Sequence, residues 1–275
     1  MSIADEIQRI QGNINDMYDS LESMGATMPV NRNSANLVTS FNSSALLSDF
    51  IPSGTIINVK LDGSGDFTTL TDAANYIKGK WSNGCVTIKL SDGTHQVANM
   101  LTFSKFDSNI PVLKILGTSR TNTIINSGIT SNYNSIIKSE NCFNLVVENL
   151  TFTCANYTAS TNLGGVCVIG GGFLRATNLD FINVNYPLYT LPSSTIFLTG
   201  TNNFTNGKSV TLSAGDVRCS HDTTFNIKNF STAWYAEYGG TVILTRPKIT
   251  YTSVTTKATE GFISNHTTNC FVVNY

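Results

Sequence analysis

Five carboxylates fall where strand-like apolar segments are densest: Glu148, Asp180, Asp216, Asp222 and Glu237. Cleaving a glycosidic bond takes two carboxylates about 5–10 Å apart, one acting as acid and the other as base or nucleophile. The chain repeats itself here. Leu145, Asn149, Leu150, Phe152 and Asn156 match Leu174, Asn178, Leu179, Phe181 and Asn185 at an offset of 174 − 145 = 29 residues. By that offset Glu148 aligns with Thr177, and Asp180 with Thr151. The two acids lie three positions apart along an alternating strand, which predicts opposite faces and weakens the pair. Asp216 and Asp222 sit in a turn-rich segment and read as turn residues. Lyase chemistry would need a base with neutralising cations; Arg175, Arg218 and Lys228 exist, but their clustering is not readable. Binding asks for less. Tyr186, Tyr189, Trp234, Tyr235 and Tyr238 can stack on sugar rings while Asn, Asp and Thr bind hydroxyls, although each aromatic serves equally as core or subunit contact. Cys219-Ser-His221 is at most half of a metal site and no second half is evident. No residue is assigned as catalytic, no metal site is assigned, and no cofactor is expected.

The elements that must hold these residues follow from the repeat. A weaker echo, Thr201-Asn-Asn-Phe-Thr-Asn206, places Phe204 a further 204 − 181 = 23 residues on. An apolar strand, an Asn turn and a second apolar strand, recurring every 20–30 residues, predict an all-β right-handed parallel β-helix. One coil cannot bury its own apolar side chains; stacked coils place Leu over Leu and Phe over Phe. Phe152 and Phe181 should share an interior column, as should Leu150 and Leu179. Asp180 should face outward, where its charge needs no partner. The β-helix is expected over residues 56–250. It begins with Ile56–Leu61, a turn at Asp62–Asp66, and a helix from Thr69 to Lys80 that covers the open end. Further strands are expected at Val86–Leu90, Val112–Leu116, Thr123–Ile125, Ser135–Ile137, Thr195–Leu198, Ser209–Leu212, Thr224–Ile227 and Gly239–Leu244. Residues 251–275 read as last rungs or a separate tip.

Ahead of the repeats, Ile3, Ile7, Ile10, Ile14, Met17, Leu21 and Met24 are spaced 4, 3, 4, 3, 4, 3. That is an unbroken heptad seam, and isoleucine at both core positions favours three or more strands. Ser2 as N-cap with Asp5 three residues on, and Gly25 before Pro29, bound a helix about 33 Å long. Residues 1–25 are therefore expected to form a trimeric coiled coil, with 26–55 as a connector holding a short helix at Ala35–Phe41.

Composition narrows the function. Charged residues make up 13% and the net charge is −1, with no basic run, so nucleic acid is an unexpected partner. No run of 18 apolar residues exists to span a membrane, and Met-Ser-Ile-Ala-Asp-Glu lacks the features of a signal peptide. Folding in a cytosol is expected. The six cysteines, Cys85, Cys142, Cys154, Cys167, Cys219 and Cys270, are then expected as buried free thiols.

Two resemblances refine this reading. Asn58-Val-Lys-Leu-Asp-Gly-Ser-Gly-Asp-Phe-Thr-Thr-Leu-Thr-Asp-Ala-Ala-Asn75 resembles the opening of pectinesterase-type and other pectin-lyase-like β-helices, and Leu145–Asn156 resembles one of their rungs. The likeness spans roughly residues 56 to 250 and is architectural. The pectinesterase chemistry it would imply uses glutamines near the oxyanion and paired aspartates. Here the glutamines are Gln8, Gln11 and Gln96, none in a central rung, and no Asp-Phe-x-Phe-Gly motif is present. That activity is expected to be lost. The second likeness is to phage fibre and tail-spike proteins, which share the layout of heptad helix, Gly25-to-Pro29 connector and β-helix; Tyr235–Val242 also resembles their rungs. It implies a homotrimeric virion fibre, on tail or head, made in the bacterial host cytoplasm. Such a fibre would join other virion proteins through its N-terminus and bind a host surface glycan without cleaving it. A tail-spike depolymerase and a purely structural decoration protein are the alternatives.

Overall fold

The computed structural model describes residues 2–23, 26–42, 49–130, 134–141, 143–158, 163–236, 240–244, 247–259, 262–266 and 270–274. The chain divides into two compact units, residues 1–51 and 52–275.

In the first unit, α1 runs Ile3–Ser23. Its start is a reciprocal capping box: the Asp5 amide donates to Ser2 Oγ at 3.2 Å, and the Ser2 amide donates to Asp5 Oδ2 at 2.8 Å. Ile3, Ile7, Ile10 and Met17 are 83, 62, 47 and 51% exposed, Ile14 is half-buried, and Met24 lies outside the described residues. Leu21 departs from the expected seam, because it is already buried within the single chain. The reason lies in the segment expected to be a connector. It continues as α2, Ser34–Asn42, which packs on α1. Tyr18 is buried and its hydroxyl donates to the Asn33 carbonyl at 2.7 Å. Arg32 reaches both Asp19 and Glu22, at 2.5 and 2.6 Å.

The second unit is an all-β right-handed parallel β-helix of about seven turns. Its first sheet takes Ile56–Val59, Cys85–Leu90, Val112–Leu116, the first halves of Asn144–Cys154 and Phe173–Ile182, then Thr195–Thr199, Asp216–Cys219 and Thr241–Leu244. The second takes Gly93–Val97, Thr123–Ser127, the second halves of the same two long strands, Thr201–Ser209, Thr224–Tyr235 and Lys248–Thr259. The third takes Leu101–Ser104, Ser135–Glu140, Gly164–Val168, Tyr186–Thr190 and Thr211–Ser213. Several of these strands run past the predicted segments. Helix α3, Leu70–Tyr76, is shorter than expected and is capped by Thr69, whose Oγ1 accepts from the Asp72 amide at 3.0 Å.

Asparagine makes the corners. Asn149 and Asn178 turn the long strands from the first sheet into the second with φ of 56° and 52°, a left-handed conformation that asparagine adopts more readily than other side chains. Asn178 Nδ2 donates to Asn149 Oδ1 at 3.1 Å. At the next rung Gly200 takes the corner with φ of 67°, and a Cβ there would sit 2.2 Å from Asn178 Oδ1. A second ladder joins Asn183, Asn206 and Asn229, with φ of 59°, 61° and 58° and amide bonds of 2.9 and 2.8 Å.

Inside, the rings of Phe152, Phe181, Phe204 and Phe225 follow one another at centroid distances of 5.1, 5.4 and 6.3 Å. Leu150 pairs with Leu179 in the expected register. At the far end Lys248–Thr259 is the last rung of the second sheet. Cys270–Asn274, hairpinned with Phe262–His266, pairs antiparallel with Thr241–Leu244 and covers the edge of the first sheet.

Candidate functional site

The aromatic candidates scatter. Tyr189 lies between inward-facing, buried Leu188 and Thr190, so it faces outward on the third sheet, in register with Cys167 and Leu212. The bridge from Ser213 to Ala236 sets Tyr235 beside Leu212, which puts Tyr189 and Tyr235 in one outward column two rungs apart. Both are half-buried. Tyr186, also half-buried, has the Lys208 ammonium 6.0 Å from its ring centroid. Trp234 must be removed from the candidates: it is 2% exposed, lies edge-on to Phe225 at 5.3 Å, and donates Nε1–H to the Tyr251 hydroxyl at 2.9 Å. The aromatic column ends on it, and no sugar ring reaches it. Tyr238 and Glu237 lie outside the described residues.

The carboxylates need two corrections. Glu148 and Asp180 do not face opposite sides. The alternation is reset at the left-handed corner, so that Val147 and Leu150 both point inward while Glu148 and Thr151, the partner of Asp180, both point outward. Asp216 is not in a turn; it opens the strand Asp216–Cys219 and pairs with Arg218 at 2.5 Å. Glu148 pairs with Lys114 at 3.0 Å. Cys219 is buried whereas His221 is exposed.

Asp180 is the centre of the best-built polar surface. It faces outward as expected, but it is not unpartnered. Arg120 Nη1 stands 3.4 Å from its carboxylate, and Asn203 Nδ2 donates to it at 2.7 Å. Asn226 Nδ2 donates in turn to Asn203 Oδ1 at 2.7 Å. The Arg120 guanidinium also donates to the Thr201 carbonyl at 2.9 Å, and the Arg120 backbone carbonyl accepts from Thr151 Oγ1 at 2.6 Å, so side chain and main chain of this residue are tied to the rungs on either side of Asp180. Burial pushes the Asp180 carboxyl above its ordinary range, against the opposing pull of Arg120 and Asn203. Asp180, Asn203, Asn226 and Thr250 stand in strict register, beside Ile182, Thr205, Lys228 and Thr252. Together they line an open groove of about 340 Å³. Sequence reasoning missed Arg120, Asn203 and Asn226. For the asparagines a signal existed: the 23-residue step that aligned Phe204 with Phe181 also takes 180 to 203, and 203 to 226.

A groove walled by amides, hydroxyls, one carboxylate and one cation, Lys228, offers donors and acceptors at rung spacing, with the Arg120-paired Asp180 at its head. The class of the protein is thus an all-β right-handed parallel β-helix carrying a polar outer groove. No protein-family model matches the sequence, and no curated protein matches it. Among solved structures, a pectin methylesterase from carrot is similar with a TM-score of 0.43, at 12% identity over 74% of this chain and 83% of that one. The pectin methylesterase PemA from Erwinia chrysanthemi is similar with a TM-score of 0.37, at 11% identity over 81% and 85%. Similarity at this level says nothing about chemistry.

Proposed function

We propose that this chain is a trimeric virion fibre that binds a host surface glycan through the outer groove of the second sheet and does not cleave it. The observation that carries the binding is the ladder Asp180–Asn203–Asn226, which faces outward and lines that groove. Stacked amides one rung apart suit a linear polymer of hydroxyl-rich units better than a small molecule, because equivalent groups recur along the axis at about 4.8 Å. The fibre reading is supported by the layout, a helix with an exposed apolar seam followed by a β-helix. Other virion proteins would be met through the N-terminal unit, and neither nucleic acid nor membrane is invoked. Binding to an array of bacterial surface polysaccharides tests this reading. Asn203→Ala and Asn226→Ala should each weaken the retained glycan severalfold; no retained glycan, or retention indifferent to both changes, refutes it.

A depolymerase is the second reading, favoured by one observation: Glu148 and Asp180 both face outward on consecutive rungs, and Asp180 holds its proton to higher pH than an ordinary aspartate. Against it, each carboxylate already neighbours a cation. New reducing ends or unsaturated products from the retained polysaccharide, abolished by Asp180→Asn, would establish cleavage.

A further inference from the structure

On the outer surface of the first sheet, one column of residues can be followed rung by rung. Lys114 is in register with Val146, Val146 with Arg175, Arg175 with Phe197, Phe197 with Arg218, and Arg218 with Ile243. Cation and apolar side chain alternate through six rungs. Inward-facing neighbours such as Leu145, Val147, Leu174 and Ala176 are fully buried, which fixes this column on the outside. Neighbouring strands lie about 4.8 Å apart, so the cations recur every ~10 Å along the axis. Arg175 and Arg218 are exposed, while Val146, Phe197 and Ile243 are half-buried. Phe173, 38% exposed, stands in the adjoining column, diagonal to Phe197 across the rung.

Two of the cations have acidic neighbours. Lys114 is paired with Glu148, and Arg218 gives one N–H to Asp216, which leaves it further donors. Arg175 has no ion pair among the described residues. An exposed guanidinium, flanked by two aromatic rings and repeated at a two-rung interval, offers a planar fork for a carboxylate and apolar surface for ring faces.

We propose that this outer face binds an acidic polysaccharide lying along the helix axis, with Arg175 central and a charge on every second sugar. The surface is distinct from the Asp180 groove, so failure of the groove reading leaves it intact, and the reverse. The test is retention of the full-length protein on immobilised hyaluronan, whose carboxylates fall on alternate sugars. Polygalacturonate (a carboxylate on every sugar), neutral dextran and double-stranded DNA are the comparisons. The expected result is strongest retention on hyaluronan, none on dextran, and loss as salt is raised. Arg175→Ala should weaken hyaluronan binding about tenfold, as expected for losing one charge-assisted bidentate contact. Lys248→Ala, which removes an exposed charge from another sheet, should not. Retention on neither acidic polymer, retention on polygalacturonate at least as strong as on hyaluronan, equal retention on DNA, or indifference to Arg175→Ala each overturns the proposal.

Discussion

At the residue scale, Asp180 is the telling case, because its environment contains opposed effects. Burial raises its folded-state pKa, while Arg120 and the Asn203 amide lower it, and burial prevails. A carboxyl whose pKa is higher folded than unfolded contributes stability fully present below the unfolded pKa and lost as pH rises through the folded value. Asp180→Asn should therefore be neutral or stabilising near pH 7, since an amide continues the ladder to Asn203 and carries no charge to bury. It should also remove one component of the decline in stability as pH rises through the carboxylate range. Thermal melts of the variant and the parent from acid to neutral pH check this; a loss of more than about 1.5 kcal/mol at neutral pH would mean that the pair with Arg120 carries net stability. The cysteines divide in the same way. Cys167 is buried and its thiol is pushed up to about 12, whereas Cys85 is only half-buried, contrary to the expectation that all six are enclosed. A thiol-reactive disulfide reagent at mildly alkaline pH should modify Cys85 ahead of Cys154 and Cys219 and leave Cys167 untouched without denaturant.

At the level of the rung, two devices hold the β-helix together, and they fail differently when cut. Phe181 lies between Phe152 and Phe204, with centroids 5.1 and 5.4 Å away, so Phe181→Ala opens a cavity between two rings and should cost about 3–5 kcal/mol. Asn206 supplies both a left-handed corner and two ladder bonds. Asn206→Gly keeps the corner and loses the ladder, and Asn206→Ala loses both, so alanine should be worse by about 1 kcal/mol in chemical denaturation. If the two variants are equal, the ladder and not the backbone governs the position. This difference also explains what was legible in the sequence. The inward pattern was, because Leu150, Phe152, Leu179 and Phe181 repeat in type as well as position. The outward pattern was not. Asp180 gives way to Asn203 and Asn226, so only the 23-residue step and not a shared residue type links the acid to the amides, and Arg120 reaches Asp180 from a loop 180 − 120 = 60 residues earlier. Strands of the third sheet such as Leu101–Ser104 are only four or five residues long, too short for their alternation to stand out from the surrounding turns. The relation of Glu148 to Asp180 was misjudged because two-residue periodicity was carried through Asn149, where the chain turns a corner.

For the whole molecule, the trimer reading rests on the exposed seam of α1. Ile3, Ile7, Ile10 and Met17 lie exposed along a three-four spacing, and burying such side chains contributes about 1.5–3 kcal/mol each. The exposed seam is shorter than the one read from the sequence, because Leu21 and Tyr18 are already buried within the chain and Arg32 clamps Asp19 and Glu22. Association through the remaining seam would use the first four turns of the helix and would leave the α1–α2 packing in place. Isoleucines at both core positions favour three strands over two. Among the described residues these seam side chains stay exposed, and free energy gained only on association makes stability depend on concentration. Ile7→Asp with Ile10→Asp would set two charges in the seam of every strand, where they cannot be paired. The expected outcome is a shift from trimer to monomer in light scattering. The far-ultraviolet β signal should be retained, because residues 52–275 form a compact unit of their own. A trimer that survives both changes would place the subunit contact on the β-helix. Its outer faces would then be covered by neighbouring subunits, and the half-buried Tyr186, Tyr189 and Tyr235 would be the first residues to examine as that contact.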